Sequence, residues 1–385
     1  MILTNGRLIF PDRIEEAWSL RIAHGQIEEI GPAIVPNDEE IIDLGGNYLA
    51  PGFIDLHVHG AIGRDTMEGT EEAFRGICNY HAGGGTTSLC LTTVAAPIAE
   101  IVRVLKAIDR SLDKIPQLRG AHVEGPFISP AKLGAQRKEF ILEPRAESIA
   151  PLLENSNTIR RVTLAPEING ALDFIDQLQA RGIAISGGHS DAWDEEARAG
   201  FARGMRQVTH TFNCMSSQRR RGRERVAGLL EVALGEPEIF CELIADGEHV
   251  SATLMRMLYR GKGAGGICLV TDATAGAGLP NETRFSLFGN DCVVAEGACW
   301  LADRSRLAGS AARMIDLVRQ MINLVGVPLP EAVRMATETP ARAMNWKTKG
   351  LLAKGTDADL VVLSPSLQIV RTYCRGLAQT TQGKL

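Results

Sequence analysis

Eight short apolar segments recur between residues 53 and 271, and they constrain the fold more than any other feature of the sequence. Each is bounded by glycine, proline or polar residues, which is typical of buried strands. Stretches with helical periodicity separate many of them; residues 313–325 are the clearest, with Ser310 as a candidate N-cap and Gly326 as the terminator. This alternation predicts an α/β fold, a (β/α)8 TIM-like barrel. The predicted strands are 53–58, 87–92, 119–124, 160–165, 183–187, 206–210, 239–245 and 267–271.

The two ends of the chain have a different pattern. Residues 1–50 and 349–385 carry short segments of alternating hydrophobicity punctuated by glycine and proline. Neither end has enough strands to bury a core alone. We therefore expect a small β-sandwich domain formed by residues 1–50 and 349–385, flanking a barrel domain of residues 51–348.

Composition limits the classes of partner. A net charge of −5 over 385 residues argues against nucleic-acid binding, so an anionic ligand would need a local cluster of positive charge. No apolar run approaches the roughly 18 residues of a membrane span, and the N-terminus has no signal-peptide pattern. The eight cysteines include no Cys-x-x-Cys pair, which favours reduced thiols in a cytoplasmic protein.

Six of the eight histidines fall where predicted strands end. Chemistry in such a barrel lies at this carboxyl end of the strands. Four of these histidines and one carboxylate form a donor set that suits Zn²⁺ or Fe²⁺ better than Mg²⁺ or Ca²⁺. One or two ions per chain are expected, since a carboxylate can bridge two, and Asp272 after the last strand is placed to shuttle protons. The candidate ligands at these strand ends include His57, His59, Glu124, His189 and His210.

Several strand-end motifs together resemble the amidohydrolase superfamily and, within it, the deacetylases that act on N-acetylglucosamine 6-phosphate. The resemblance spans nearly the whole chain and is specific only as a set. The motifs are HVEGPF at 122–127, LAPE at 164–167, GHS at 188–190, THTFNCM at 209–215, DGEHV at 246–250, TDAT at 271–274, LAGS at 307–310 and GTDADLV at 355–361.

The resemblance implies a metal-dependent hydrolase that releases acetate from a linear amide on a sugar phosphate. Glu124, His189 and His210 match the family's retained metal ligands, and Asp272 its catalytic aspartate. His57 and His59 match positions that complete a second metal site in some members. The implied substrate-binding residues are Ala135, Gln136, Asn213, Cys214, His249, Leu307, Ala308 and Gly309.

Two departures from the family pattern affect this assignment. Gln136 stands where the family usually has a histidine, and an amide can form hydrogen bonds but carries no charge. The family's phosphate-binding arginine matches Arg223, but the loop differs in length, so Arg221 is an alternative. Because this arginine can come from the neighbouring subunit in the family, the resemblance implies a homodimer.

Three rival functions stay open at the level of sequence. A deacetylase for the galactosamine epimer differs only in how one hydroxyl is recognised. A cyclic-amide hydrolase would usually bridge its metals with a carboxylated lysine, whereas Glu124 is the bridging candidate here. A non-catalytic metal-binding barrel would retain the ligands without need of Asp272.

Overall fold

Eight parallel strands form the central sheet of the computed structural model, which describes residues 1–287 and 289–379. They follow one another in chain order across the sheet, so each pairs with its neighbour in sequence. The sequence predicted all eight to within a few residues. The strands are β1 (Phe53–Val58), β2 (Thr86–Thr92), β3 (Leu118–Glu124), β4 (Ile159–Leu164), β5 (Ala184–Gly187), β6 (Gln207–Val208), β7 (Phe240–Leu243) and β8 (Ile267–Leu269).

A helix follows each strand, and two more complete the helical layer of the described residues. In α1 the residues that face the barrel recur three and four apart, from Phe74 through Ile77 and Cys78 to His81, and all are buried. The helices are α1 (Glu71–Ala82), α2 (Ile98–Asp109), α3 (Ala146–Leu153), α4 (Ala171–Gln179), α5 (Asp194–Ala202), α6 (Leu229–Gly235), α7 (Ala252–Lys262), α8 (Met314–Gln320), α9 (Leu329–Met335) and α10 (Glu338–Ala343). Across the described residues, no helix is both long enough and apolar enough to span a bilayer.

The barrel closes between β1 and the segment after β8. Val58 bridges to Ala273, and the Thr271 hydroxyl donates a hydrogen bond of 2.6 Å to Asp55 Oδ2. Asp55 is fully buried, and this burial raises its pKa to about 7 despite the hydrogen bonds that it accepts from Thr271 and from the His57 backbone. Closure places the end of β1 beside the residues that follow β8.

The two ends of the chain meet in a second sheet, as the sequence predicted. In one strand, Leu360 and Val362 face a core of the sheet's own, while Val361 and Leu363 pack into the barrel core. Successive side chains of a strand point to opposite faces of the sheet, so both faces of this strand are apolar. The strands are Ile2–Ile9, Ile14–Ala23, Gln26–Gly31, Ile41–Asp43, Tyr48–Pro51, Leu360–Leu363, Ile369–Cys374 and Leu377–Ala378.

An antiparallel sheet lies between β8 and α8 and was not predicted. It comprises strands Arg284–Leu287, Asn290–Ala295, Ala298–Leu301 and Leu307–Ser310. The predicted N-cap at Ser310 is therefore wrong, because Ser310 ends a strand and its hydroxyl donates to Thr271 O. Helix α8 begins instead after Arg313, continues as a π-helix at Met321–Val325 and ends at Gly326 with a left-handed φ of 83°, as predicted for that glycine.

Short elements complete the description. Two-stranded hairpins pair Gly60–Ala61 with Arg64–Asp65, and Arg219–Arg221 with Glu224–Val226. In the described part of the chain, 3-10 helices lie at Thr66–Glu68, Lys138–Phe140 and Ala264–Gly266.

Candidate metal centre and its pocket

The five predicted metal ligands converge at the carboxyl ends of four barrel strands. His57 lies in β1 and His59 just after it, Glu124 ends β3, and His189 and His210 follow β5 and β6. All five are buried. Glu124 Oε1 lies 3.4 Å from the Nε2 atoms of His57 and His189 and 3.3 Å from that of His210, and Oε2 lies 3.3 Å from His59 Nε2.

The donor atoms form two groups of three that share Glu124. One comprises His57, His59 and Glu124, and the other Glu124, His189 and His210. Within each group the two imidazole Nε2 atoms are only 3.1 Å apart. Two ring nitrogens at that distance are both satisfied when they share a cation, and Zn–N bonds of about 2.0–2.1 Å are compatible with the spacing.

The tautomers of two histidines support the same interpretation. His57 Nδ1 lies 3.4 Å from Glu242 Oε2, and His189 Nδ1 lies 2.8 Å from the Lys132 carbonyl. Both partners accept hydrogen bonds, so each Nδ1 carries the hydrogen and each Nε2 presents a lone pair. The chemistry of the donor set therefore fits a divalent transition metal.

Asp272 lies beside the first group of donors. Its Oδ1 is 3.4 Å from His57 Nε2 and 3.3 Å from His59 Nε2. Burial alone would raise the pKa of Asp272, but the adjacent imidazoles of His57 and His59 more than offset burial and lower it. Asp272 is therefore ionised at neutral pH and can accept a proton.

Backbone strain concentrates at this end of the barrel. His189, His210, Cys214 and Asp272 all have positive φ, between 32° and 49°, which non-glycine residues adopt at a cost. Hydrogen bonds fix Asp272 in place, since its N–H donates to His57 O and its carbonyl accepts from Ser310 N, both at 2.9 Å. The side chains of all four residues line one pocket.

A pocket of about 280 Å³ opens over the donor cluster. The antiparallel sheet after β8 forms one wall, where Gly309 lies so close to the site that an added Cβ would meet Thr274 Cγ2 at 2.4 Å and Asp272 O at 2.7 Å. Its φ of 86° also requires glycine. Eight residues expected to bind substrate line the pocket: Ala135, Gln136, Asn213, Cys214, His249, Leu307, Ala308 and Gly309.

Two of these polar residues have defined contacts. Gln136 Nε2 donates to Glu124 Oε2 at 2.9 Å, and its Oε1 accepts from Ala95 N at 3.0 Å. His249 Nδ1 lies 2.6 Å from Asp246 Oδ2. Burial lowers the pKa of His249, but the hydrogen bond and charge of Asp246 outweigh burial and raise it. When it is protonated, His249 can donate a hydrogen bond through Nε2.

The two predicted phosphate-binding arginines lie away from the pocket in the single chain. Arg221 forms an ion pair with Glu195 at 2.5 Å and its guanidinium stacks over Trp193. Arg223 is exposed at the turn of the same hairpin. Neither lines the pocket, so their assignment stays a prediction that requires a neighbouring subunit.

Sequence reasoning missed a buried ion pair beneath the donors. Arg161 in β4 and Glu242 in β7 are in direct contact and fully buried. Glu242 Oε2 accepts from His210 N at 3.0 Å and faces His57 Nδ1, so this carboxylate supports two predicted ligands. Burial would raise the pKa of Glu242, but the charge of Arg161 lowers it well below the usual range. The available signal was that both charges fall within apolar strands, where they require a partner.

Comparison with known proteins places this geometry in context. The sequence model of the amidohydrolase family matches residues 48–378. An N-acetylglucosamine-6-phosphate deacetylase of Lysinibacillus sphaericus is 31% identical, over 98% of this chain and 97% of its own. An N-acetylgalactosamine-6-phosphate deacetylase of Escherichia coli O157:H7 is 33% identical, over 94% and 96%. The crystal structure of N-acetylglucosamine-6-phosphate deacetylase from Pasteurella multocida superposes with a TM-score of 0.92 at 30% identity, covering 98% of this chain and 99% of that one.

Proposed function

This chain belongs to the amidohydrolase family, and we propose that it hydrolyses the acetamide of N-acetylglucosamine 6-phosphate to glucosamine 6-phosphate and acetate. One observation carries the proposal: the five donors and Asp272 converge at the base of a single pocket whose walls contain the residues matched to sugar-phosphate binding. The identity of the substrate is inferred from the relatives that are named for this activity.

The donor cluster would hold one or two divalent metal ions, Zn or Fe, with Glu124 as the shared ligand. A metal at this position would supply Lewis acidity toward the acetamide carbonyl and the attacking water. Gln136 and Glu242 would orient the ligands, because Gln136 donates to Glu124 and Glu242 accepts from His57.

Asp272 would carry out both proton transfers. It accepts a proton from water as the water attacks the carbonyl carbon, and it returns that proton to the amine as the C–N bond breaks. The second transfer matters because an unprotonated amine leaves poorly. His249 would donate a hydrogen bond to substrate oxygens, with Asp246 holding its ring in place.

The galactosamine epimer is the second candidate substrate. The Escherichia coli O157:H7 relative named for that substrate is 33% identical to this chain. The two sugars differ in the direction of one ring hydroxyl, which a few pocket contacts would distinguish. A cyclic-amide substrate is less favoured because, among the described residues, no lysine lines the pocket and Glu124 occupies the shared position.

The test is acetate release from both N-acetylhexosamine 6-phosphates and from their unphosphorylated forms, before and after chelation. We expect the glucosamine phosphate to have the highest kcat/KM and chelation to abolish turnover. A higher kcat/KM for the galactosamine phosphate would reassign the substrate. No acetate release from any of the four by metal-loaded protein would refute the proposal.

The proposal extends to assembly and location. A homodimer would let Arg223 or Arg221 reach the pocket of the neighbouring subunit. The substrate, an intermediate of amino-sugar metabolism, fits a cytoplasmic enzyme, in agreement with the reduced thiols expected from the cysteine pattern. Sedimentation of the purified protein tests the dimer.

A further inference from the structure

The pocket that lies over the donor cluster contains a cation that the sequence motifs did not identify. Among the described residues that line this pocket, Arg306 is the only arginine or lysine. Its side chain is exposed, and its guanidinium Nη1 lies 3.4 Å from the Gly134 carbonyl, which is a weak contact. Its charge helps to lower the pKa of Asp303, but within the described residues it forms no ion pair, so donors of the guanidinium are available to a ligand. An exposed guanidinium at a pocket wall is suited to bind an anion.

The strand that follows Arg306 is anchored at the reaction centre. The strand that begins at Leu307 is held to Asp272 through Ser310 N and by the close approach of Gly309. Arg306 precedes Gly309 by three residues, which along a strand is about 10 Å. One pyranose ring separates the acetamide from the 6-phosphate, so a phosphate must lie a ring's width from the donors.

A second group on the pocket wall lacks a partner. The Nδ2 atom of Asn213 is buried and, within the described part of the chain, donates to no acceptor. Gly134, whose carbonyl contacts Arg306, lies next to Cys214, since a Cβ on Gly134 would be 2.7 Å from Cys214 Sγ. Asn213 precedes Cys214 in sequence and lines the same pocket as Arg306. An acceptor-rich ligand in that pocket would satisfy both the unsatisfied amide and the arginine.

We infer that Arg306 binds the 6-phosphate of the substrate within its own subunit, together with the Asn213 amide. The inference rests on the proposed function and adds an anchor for the phosphate. It differs from the expectation for Arg221 and Arg223, because Arg221 is committed to Glu195 and neither arginine lines the pocket of its own chain.

Steady-state kinetics of single variants test the inference. Arg306→Ala should lower kcat/KM for N-acetylglucosamine 6-phosphate about ten- to hundredfold, as expected for loss of a hydrogen-bonded charge, with little change for the unphosphorylated sugar. Arg306→Lys should give an intermediate value, because it keeps the charge but loses the planar fork. Inorganic phosphate should inhibit the parent competitively and Arg306→Ala more weakly.

Arg304→Ala is the matched control, because Arg304 is exposed in the same turn before Leu307 but pairs with Glu282 and does not line the pocket. It should behave as the parent. If Arg306→Ala discriminates the two sugars as the parent does, the inference is wrong. If Arg223→Ala or Arg221→Ala alone removes that discrimination, the phosphate anchor lies instead on the hairpin of residues 219–226. If the parent releases no acetate from the phosphorylated sugar but phosphate still protects Arg306 from arginine-specific modification, the proposed function fails while the anion site stands.

Discussion

Removing the buried charge of Arg161 is the most informative perturbation of this barrel. Arg161 contacts Glu242 and also donates to Ser186 Oγ at 2.8 Å, with no exposed surface. In Arg161→Met the Glu242 carboxylate keeps its buried position but loses the guanidinium, its main positive neighbour. Removing one partner of a buried ion pair destabilises a protein by about 3–5 kcal/mol. We therefore expect the free energy of unfolding of the chelated protein, measured in urea, to fall by that amount.

The pH dependence of this loss gives a second readout. In the parent, the pKa of Glu242 is depressed, so its contribution to stability is present above the unfolded pKa and lost as pH falls through the folded one. In Arg161→Met the folded pKa of Glu242 rises, because the guanidinium no longer offsets the effect of burial. Protonation then relieves the buried charge, and the difference between variant and parent should shrink as the pH is lowered.

Two controls separate the charge effect from packing. Arg161→Met combined with Glu242→Gln leaves no buried charge and should recover more than half of the lost stability. Arg160→Met changes the neighbouring, partly exposed arginine of β4, which donates to Arg119 O, and should cost only about 1 kcal/mol. A loss below about 1 kcal/mol in Arg161→Met, independent of pH, would refute the reasoning.

Three further outcomes are expected. Asp272→Asn should retain its metal by elemental analysis while kcat falls by about 10²–10⁴-fold or more; a variant that keeps over a tenth of the parent's kcat would exclude Asp272 as the proton shuttle. Replacing His57 and His59 by alanine should empty one of two metal sites, measured as metal per chain, and leave partial activity; unchanged metal content would argue against their role. Asp246→Asn should lower the pKa of His249, so kcat/KM for the phosphorylated sugar should decline at a lower pH than in the parent. Superimposable pH profiles would show that Asp246 does not control the protonation of His249.

The barrel was predictable because its signals are local. Each strand is a short apolar run, and parallel strands buried on both faces need little beyond that. In β1 all six residues from Phe53 to Val58 are buried. The donors were equally accessible to sequence reasoning, because residues directly after such strands must meet at one end of a barrel.

What sequence reasoning missed depends on contacts between distant segments. Arg161 and Glu242 are 81 residues apart, and neither motif nor spacing joins them. The sheet between β8 and α8 has short strands and many polar residues, so its alternation is weak, yet it forms a pocket wall and carries Arg306. The arginines at 221 and 223 matched a family pattern, but a pattern does not state which chain's pocket a side chain reaches.

The sheet formed by the two ends of the chain has a consequence for synthesis on the ribosome. Strand Tyr48–Pro51 pairs with Leu360–Leu363, and Pro51 lies opposite Leu360, 309 residues later. At about 5–20 residues per second, roughly 15–60 s separate the emergence of these two strands. During that interval Leu49 and Ala50 present an unpaired apolar edge, which is open to association with other nascent chains. Expression yield should therefore depend on chaperones that cover the first 50 residues until the last strands arrive.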